Sequence, residues 1–293
     1  MPGSLPPGDP GSRGPARSVG TVSDVLDCRG VTDWAKIADS DFELPPGADV
    51  DDLVAELSEA LADPDPGIRD GTAYAVMATW IERGVLDPKL AGLGDEMAAR
   101  FGDPRIQARS FAALVLCWIV ERGGFDYAWL SAFEDWYPAE DDLRGFDPEL
   151  GWLHAVAHGA DLLGLFGRDR RVRPEQILEL AARRMLADTD YVWRDAEDDR
   201  LGRAIALTLT RPDLTAEQST GWLDLIDEKF SHGEPGPMPA YASNSIRTLR
   251  LLYVLADRGV RAEQDAQPAA LTHRAEITKR LASSMAPVTW FSG

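Results

Sequence analysis

Two of the four histidines in this 293-residue chain lie four positions apart, in the segment GWLHAVAHGADLL. They are His154 and His158, and Asp161 follows three positions later. On an α-helix with about 100° of rotation per residue, these three side chains fall within a stripe of about 60°. Trp152 falls roughly opposite and is expected to face the core. The spacing therefore predicts a helix over residues 150–165 with one polar face.

Three kinds of chemistry suit this polar face. Imidazole nitrogens at positions i and i+4 can bind one metal ion, and a carboxylate one turn further on completes three ligands. The same side chains can instead bind a ligand without metal, or act as an acid–base pair in which the carboxylate orients an imidazole. A structural interpretation, in which they bond to a neighbouring loop or face solvent, also stays open. The segment lacks the glutamate of the H-E-x-x-H zinc motif, so the pattern does not select among these.

Aromatic and charged residues flank the polar face in sequence. Arg144 follows Asp141 and Asp142, which predicts a local ion pair. The surrounding segment FEDWYPAEDDLRGFDPEL is long for a connection between helices, and long connections are often functional, so it is a candidate lid. Glu197 precedes a later amphipathic segment and offers a further carboxylate. The candidate ligand-binding residues are His154, His158, Asp161, Trp152, Arg144, Asp142 and Glu197.

The charge balance restricts the class of partner. The chain has 49 acidic side chains against 30 lysines and arginines, a formal net charge of −19. Such a field repels phosphate backbones and anionic membrane surfaces, so we expect neither nucleic acid nor a membrane as partner. No apolar stretch approaches the roughly 18 residues of a membrane span, and no secretory signal is evident. The two cysteines, Cys28 and Cys117, imply no disulfide framework, and a cytoplasmic location is expected.

The chain divides into a domain and two tails. Residues 1–20 are rich in proline, glycine and serine and lack periodic apolar positions, which predicts disorder. Helical spacing of apolar residues then continues, and alternating β-type segments are scarce. We therefore expect an all-α fold, with a single helical-repeat domain over residues 21–286 and a C-terminal tail over residues 287–293.

Two segments of this domain resemble each other. DPGIRDGTAYAVMATWIERG begins at Asp65, and DPRIQARSFAALVLCWIVERG begins 38 residues later, at Asp103. Both share Asp-Pro, Trp-Ile and a Glu-Arg-Gly end at Gly84 and Gly123, and a weaker third copy ends at Gly259. Proline suits a first helical turn, and glycine suits a left-handed C-terminal cap. A period near 40 predicts a HEAT/armadillo-like α-α superhelix, a curved solenoid of antiparallel helix pairs.

The run EDDLRGFDPELGWLHAVAHGADLL, residues 140–163, resembles the signature of a bacterial family labelled domain of unknown function 2785. In that family an Arg-Gly pair precedes a Gly-Trp-x-His-x-x-Ala-His-Gly-x-Asp helix, matching Arg144-Gly145 and then Gly151 to Asp161. The resemblance extends over about residues 45–260 and implies an all-helical repeat protein. It brings no established activity, but the matching positions include both histidines and the aspartate.

Two functions fit these features. In the first, the chain is a binding module whose concave face presents the histidine and aspartate side chains to a protein, a peptide or a small molecule. In the second, it is a metal-assisted hydrolase in which His154, His158 and Asp161 hold a divalent metal cofactor beside Glu197 or Asp142. The sequence has no nucleophile elbow, phosphate-binding glycine loop or dinucleotide fingerprint, which favours the binding module.

Overall fold

The computed structural model describes residues 32–233 and 236–288. Within these ranges the chain is mostly helical, and its regular strands form a single two-stranded sheet, so the all-α expectation is confirmed. None of the helices in these ranges is long and apolar enough to cross a membrane. The predicted N-terminal tail, Cys28 and residues 289–293 lie outside the described residues.

Side-chain caps mark where several helices begin. The Asp49 carboxylate accepts a hydrogen bond from the backbone N–H of Asp51, and Thr215 forms a reciprocal capping box with Gln218. The α-helices are α1 (Trp34–Asp39), α2 (Val50–Ala60), α3 (Pro66–Ile68), α4 (Ala75–Glu82), α5 (Leu90–Ala99), α6 (Ile106–Glu121), α7 (Tyr127–Trp136), α8 (Ala155–Arg168), α9 (Pro174–Leu186), α10 (Glu197–Leu209), α11 (Ala216–Thr220), α12 (Leu223–Ser231), α13 (Ala240–Arg258) and α14 (Arg274–Met285). The remaining elements are a π-helical turn (Arg69–Tyr74), the 3-10 turns Asp87–Lys89, Arg100–Gly102 and Ala286–Val288, and the strands β1 (Phe146–Asp147) and β2 (Gly151–Trp152).

The helices that surround the candidate site pack side by side in chain order. Helix α6 contacts α8, α8 contacts α10, α10 contacts α13, and α13 contacts α14. Each contributes fully buried apolar side chains, among them Leu116 of α6, Leu163 of α8 and Ile205 of α10. Full burial of one such side chain stabilises the fold by about 1.5–3 kcal/mol relative to its exposure. These packed helices therefore fix the positions of the polar side chains on α8 and α10.

The two similar segments begin with equivalent hydrogen bonds, but not in the predicted alignment. Nη1 of Arg69 donates to both carbonyl oxygens of Asp63-Pro64, at 3.0 and 3.3 Å. Nη1 of Arg109 donates in the same way to Asp103-Pro104, at 2.9 and 3.0 Å. The predicted match of Asp65-Pro66 with Asp103-Pro104 is therefore wrong, because the equivalent arginines lie 40 positions apart rather than 38.

At the ends of the two segments, equivalent residues lie 39 positions apart rather than 40. The carbonyl of Trp80 accepts from the N–H five residues later, and the carbonyl of Ile119 accepts in the same way, so these two positions correspond. Trp80 is buried in the core, whereas Trp118, its predicted counterpart, is only partly buried. The π-helical turn Arg69–Tyr74 explains the change of offset, since its wider i→i+5 winding accommodates one additional residue in the first segment.

The glycines that end these segments all have positive φ. Gly84, Gly123 and Gly259 have φ values of 76°, 93° and 79°. Only glycine adopts positive φ without a steric penalty from Cβ, and here it lets the chain leave each helix sharply. All three glycines have positive φ, but Gly259, with ψ 169°, is outside the left-handed helical region, so the predicted left-handed cap is wrong there.

Gly159 of α8 packs directly against the ring of Tyr137. Tyr137 is fully buried, and its hydroxyl donates to the carbonyl of Val156 at 2.8 Å. A Cβ built on Gly159 would lie 2.2 Å from Cε2 of Tyr137, so any larger residue must displace that ring. Gly159 therefore sets how closely α8 approaches the segment that follows α7.

We expect Gly159→Ala to lower the free energy of unfolding by about 1–3 kcal/mol, because the added methyl group overpacks a fixed aromatic ring. Gly92→Ala is the matched control. Gly92 is an exposed glycine in α5 with no neighbouring atom within 4 Å of a built Cβ. There alanine should stabilise the protein by about 0.5–1 kcal/mol through helix propensity. Guanidinium unfolding measures both, and equal stabilisation by the two substitutions would contradict the packing described here.

Candidate functional site

A short β-hairpin precedes α8. Strand β1 (Phe146–Asp147) pairs antiparallel with β2 (Gly151–Trp152), so that the aromatic residues of the two strands face each other. Oδ1 of Asp147 accepts from the backbone N–H groups of Glu149 and Leu150, at 2.9 and 3.0 Å, and thereby closes the turn. The last part of the connection proposed as a lid is therefore an ordered hairpin.

Arg144 and Asp142 stabilise this hairpin. Arg144 pairs with Asp142 at 2.6 Å and with Asp147 at 2.7 Å, which confirms the predicted ion pair with Asp142. Burial alone would raise the pKa of Asp142, but the hydrogen bond from Arg144 lowers it below its ordinary value. Neither Arg144 nor Asp142 lines the main cavity described below.

The connection between α7 and α8 is held at its two ends by Arg109 and Arg69, one from each of the similar segments. Arg109 forms a bidentate pair with Glu140 at the start of the loop, at 2.6 and 2.7 Å. Burial opposes ionisation of Glu140, yet this pairing lowers its pKa below the ordinary value. At the other end, Nη2 of the fully buried Arg69 donates to the carbonyls of Leu150 and Trp152, at 2.7 and 3.2 Å. The loop is thus fixed to both segments.

The predicted helix over residues 150–165 is wrong at its N-terminal end, because α8 begins at Ala155. His154 is the N-cap and has left-handed backbone angles, φ 47° and ψ 32°. The backbone N–H groups of Leu153 and His154 donate to the carbonyl of Gly145. These bonds take the place of the helical hydrogen bonds that the predicted helix would have required. Trp152 lies in β2 and is 44% exposed, which corrects its expected place in the core. Apolar periodicity does not reveal such a competing backbone partner.

The protonation of His158 follows from its hydrogen bonds. Burial holds the pKa of His158 well below its ordinary value, and nearby His154 lowers it further, so the ring is neutral. Nδ1 lies 2.8 Å from Oγ of Ser110, whose hydroxyl donates to the carbonyl of Leu153. Because that hydroxyl has one hydrogen, the bond to His158 must be donated by Nδ1–H. The lone pair is then on Nε2, which has no hydrogen-bond partner among the described residues.

His154 lies beside His158 and has the opposite tautomer. Its ring centre is 4.4 Å from that of Trp152 and 5.7 Å from that of His158. Nε2 donates to the carbonyl of Asp195 at 3.1 Å. Burial lowers the pKa of His154, and the positive charge of Arg200 lowers it further. A neutral His154 therefore accepts at Nδ1.

Glu197 lies behind the loop rather than in the cavity. It is fully buried, and Oε2 accepts from the backbone N–H of Asp195 at 2.8 Å. Oε1 has no hydrogen-bond partner within the described part of the chain, and Nε2 of His154 is 3.9 Å away. Burial raises the pKa of Glu197. Glu197 therefore contacts His154 from the protein interior and does not line the cavity.

Asp161 lies close to the histidines in the fold but is paired elsewhere. Its carboxylate forms a bidentate pair with Arg200 of α10, through Nε at 2.8 Å and through Nη2. Across residues 32–233 and 236–288, no group of three or more His, Cys, Asp or Glu side chains could hold a metal ion. The predicted ligand set of His154, His158 and Asp161 therefore shares one cavity without forming such a group.

A cavity of about 730 Å³ lies between α6, α8 and α10. The hairpin and the π-helical turn complete its wall. Of the seven candidate residues, the structure brings four to this cavity and leaves three outside. Those that line it are Trp152, His154, His158 and Asp161.

Several cavity residues were not found from the sequence. Nε1 of Trp118 donates to the hydroxyl of Tyr74 at 3.0 Å, and burial raises the pKa of Tyr74 to about 12, so the phenol stays protonated. Arg200 and Arg203 lie three positions apart on α10, a spacing that places both on one helix face and could have marked them. Cys117, expected as a buried thiol, is partly buried in the cavity wall, where burial raises its pKa well above the ordinary value.

Comparison with known proteins connects this site to a family. The family model described as "Protein of unknown function (DUF2785)" matches residues 97–254, more than half of the chain. The match contains the hairpin and the cavity residues of α8 and α10. No curated protein and no solved structure matches the chain.

We expect His158 to make the fold less stable below pH 6.5. The unfolded chain takes up a proton near pH 6.5, whereas buried His158 resists protonation, so stability falls as pH falls through this range. Unfolding at several pH values between 5 and 8 should show a loss of up to about 1.4 kcal/mol per pH unit from this group. His158→Asn retains a donor for Ser110 and should remove that part of the pH dependence. His232→Asn, at an exposed loop position, is the control, and an equally steep dependence in both variants would contradict the assignment.

Proposed function

Because the chain belongs to the DUF2785 family of proteins of unknown function, we propose its role from the cavity and infer that it is a small-molecule-binding protein. The observation that carries this proposal is a cavity of about 730 Å³ in which His158 presents an acceptor nitrogen that has no partner among the described residues. His158 lines the cavity, so a ligand that carries an N–H or O–H donor can bond to this nitrogen.

The size and the lining of the cavity support a small molecule over a protein or a peptide. Small-molecule pockets are typically about 300–1,000 Å³ and mostly apolar, with a few well-placed polar groups. Phe111, Trp118 and Trp152 contribute aromatic surface, while Tyr74 and His158 contribute a donor and an acceptor. The hairpin that carries Trp152 is firmly held, which favours a preformed pocket.

We place this cavity on the concave face of a HEAT/armadillo-like superhelix formed by one domain over residues 21–286. The consecutive packing of α6, α8, α10 and α13 supports this arrangement, as do the equivalent hydrogen bonds of Arg69 and Arg109. A cytoplasmic location, expected from the sequence, belongs to the same proposal.

The metal-assisted hydrolase receives less support from the side-chain contacts. Asp161 is neutralised by Arg200, and Nδ1 of His158 and Nε2 of His154 already donate within the protein. Within the described part of the chain, His154 and His158 each keep one ring nitrogen without a hydrogen-bond partner, which suits bonding to a ligand.

Blocking the cavity tests the proposed function. We expect Leu165→Trp, which adds an indole at the cavity wall, to reduce capture of small molecules from a metabolite extract at least tenfold, because the new side chain occupies the ligand volume. The captured molecules are released by denaturation and quantified by mass spectrometry. Leu225→Trp, at an exposed position on α12 outside the cavity, is the matched control.

Circular dichroism checks that both variants remain folded. Identical capture profiles for the Leu165→Trp and Leu225→Trp proteins would contradict binding in this cavity. A compound captured by the wild-type and Leu225→Trp proteins but not by the Leu165→Trp protein would identify a ligand.

A further inference from the structure

Resting on the proposed function, we propose that the ligand is an amphiphilic organic anion. Its carboxylate, phosphate or sulfonate group would bind Arg203, and an N–H or O–H group would donate to Nε2 of His158. An aromatic or aliphatic body would occupy the apolar wall between these groups.

Arg203 provides the site for the anion. It lines the cavity, is partly buried, and donates through Nη2 to the backbone carbonyl of Ala262. Among the described residues, no carboxylate lies within 4.0 Å of its guanidinium group, in contrast with its neighbour Arg200. Removing a cation from water without a counter-ion is unfavourable, and a bound anion would offset that cost.

Asp161 and Glu121 act on Arg203 through space, but no cavity carboxylate forms an ion pair with it among the described residues. Asp161 and Arg200 cancel as a bidentate pair, and Asp70 is paired with Arg69. The remaining cavity carboxylates, Glu121 and Glu263, are on exposed residues and form no ion pair within the described ranges.

A third guanidinium group lies in the same cavity wall. Arg168, at the end of α8, also lines the cavity, is exposed and has no carboxylate within 4.0 Å among the described residues. Burial lowers the pKa of Arg203, the negative charges of Asp161 and Glu121 raise it, and the positive charges of Arg200 and Arg168 lower it. An anion between Arg203 and Arg168 would relieve this repulsion.

His158 restricts the rest of the ligand. Its Nδ1–H is committed to Ser110, so the neutral ring offers only an acceptor at Nε2. A ligand that presents an acceptor there would leave both groups unsatisfied. The ligand must therefore bring a hydrogen-bond donor as well as a negative charge, and Phe111 and Leu207 provide apolar contacts for its body.

Two fluorescent probes with one aromatic skeleton test the anion site. Anilinonaphthalenesulfonate carries a sulfonate and an N–H group, and phenylnaphthylamine is the same skeleton without the sulfonate. We expect Arg203→Met to weaken the sulfonate probe about tenfold, the effect of one charge-assisted hydrogen bond, and to change the neutral probe less than about twofold. Arg203→Lys should restore part of the affinity for the sulfonate.

The controls separate this inference from the proposed function. Arg250→Met removes the same charge at an exposed position on α13 outside the cavity and should affect neither probe. His158→Asn should weaken both probes, since each donates one N–H. Unchanged affinity of the sulfonate probe for the Arg203→Met protein, or equal weakening of both probes, would overturn the anion site while binding itself stands. Probe binding that Leu165→Trp leaves unaffected would overturn the proposed function.

Discussion

The shape of the cavity depends on the buried guanidinium group of Arg69. This side chain is fully buried and donates to the carbonyls of Asp63-Pro64 on one side and to those of Leu150 and Trp152 on the other. A buried cation is tolerated only when its N–H groups are satisfied, so the start of the first segment and the hairpin are held together. The positions of Trp152 and His154 follow from this contact.

Burial then determines which groups of the cavity are charged. The histidines are neutral because desolvation lowers the pKa of both, and Tyr74 stays protonated because desolvation raises its pKa. Asp161 forms a bidentate pair with Arg200. The interior thus combines neutral hydrogen-bonding groups with the unpaired charge of Arg203, although the whole chain has a net charge of −19. Local desolvation, rather than net charge, sets the character of the site.

Features that depend on neighbouring residues could be predicted from the sequence. Contacts between residues far apart in the chain could not. Helical periodicity indicated the all-α fold, and adjacency indicated the pair of Arg144 with Asp142. The partner of Asp161 is 39 positions away, and Arg69 reaches a loop more than 80 positions away, so neither contact is visible in a local pattern. Four of the seven candidate residues line the cavity, even though the helix assumed for them begins later than predicted.

The two similar segments make different side-chain contacts although their ends have equivalent hydrogen bonds. The start and the end of each segment keep equivalent backbone bonds, and the π-helical turn Arg69–Tyr74 absorbs the difference in length between them. Arg69 at the start of that turn reaches the hairpin, and Tyr74 at its end lines the cavity. The first segment is consequently not interchangeable with the second: a chimera built on the regular winding of α6 would preserve the scaffold and misdirect one of these two side chains.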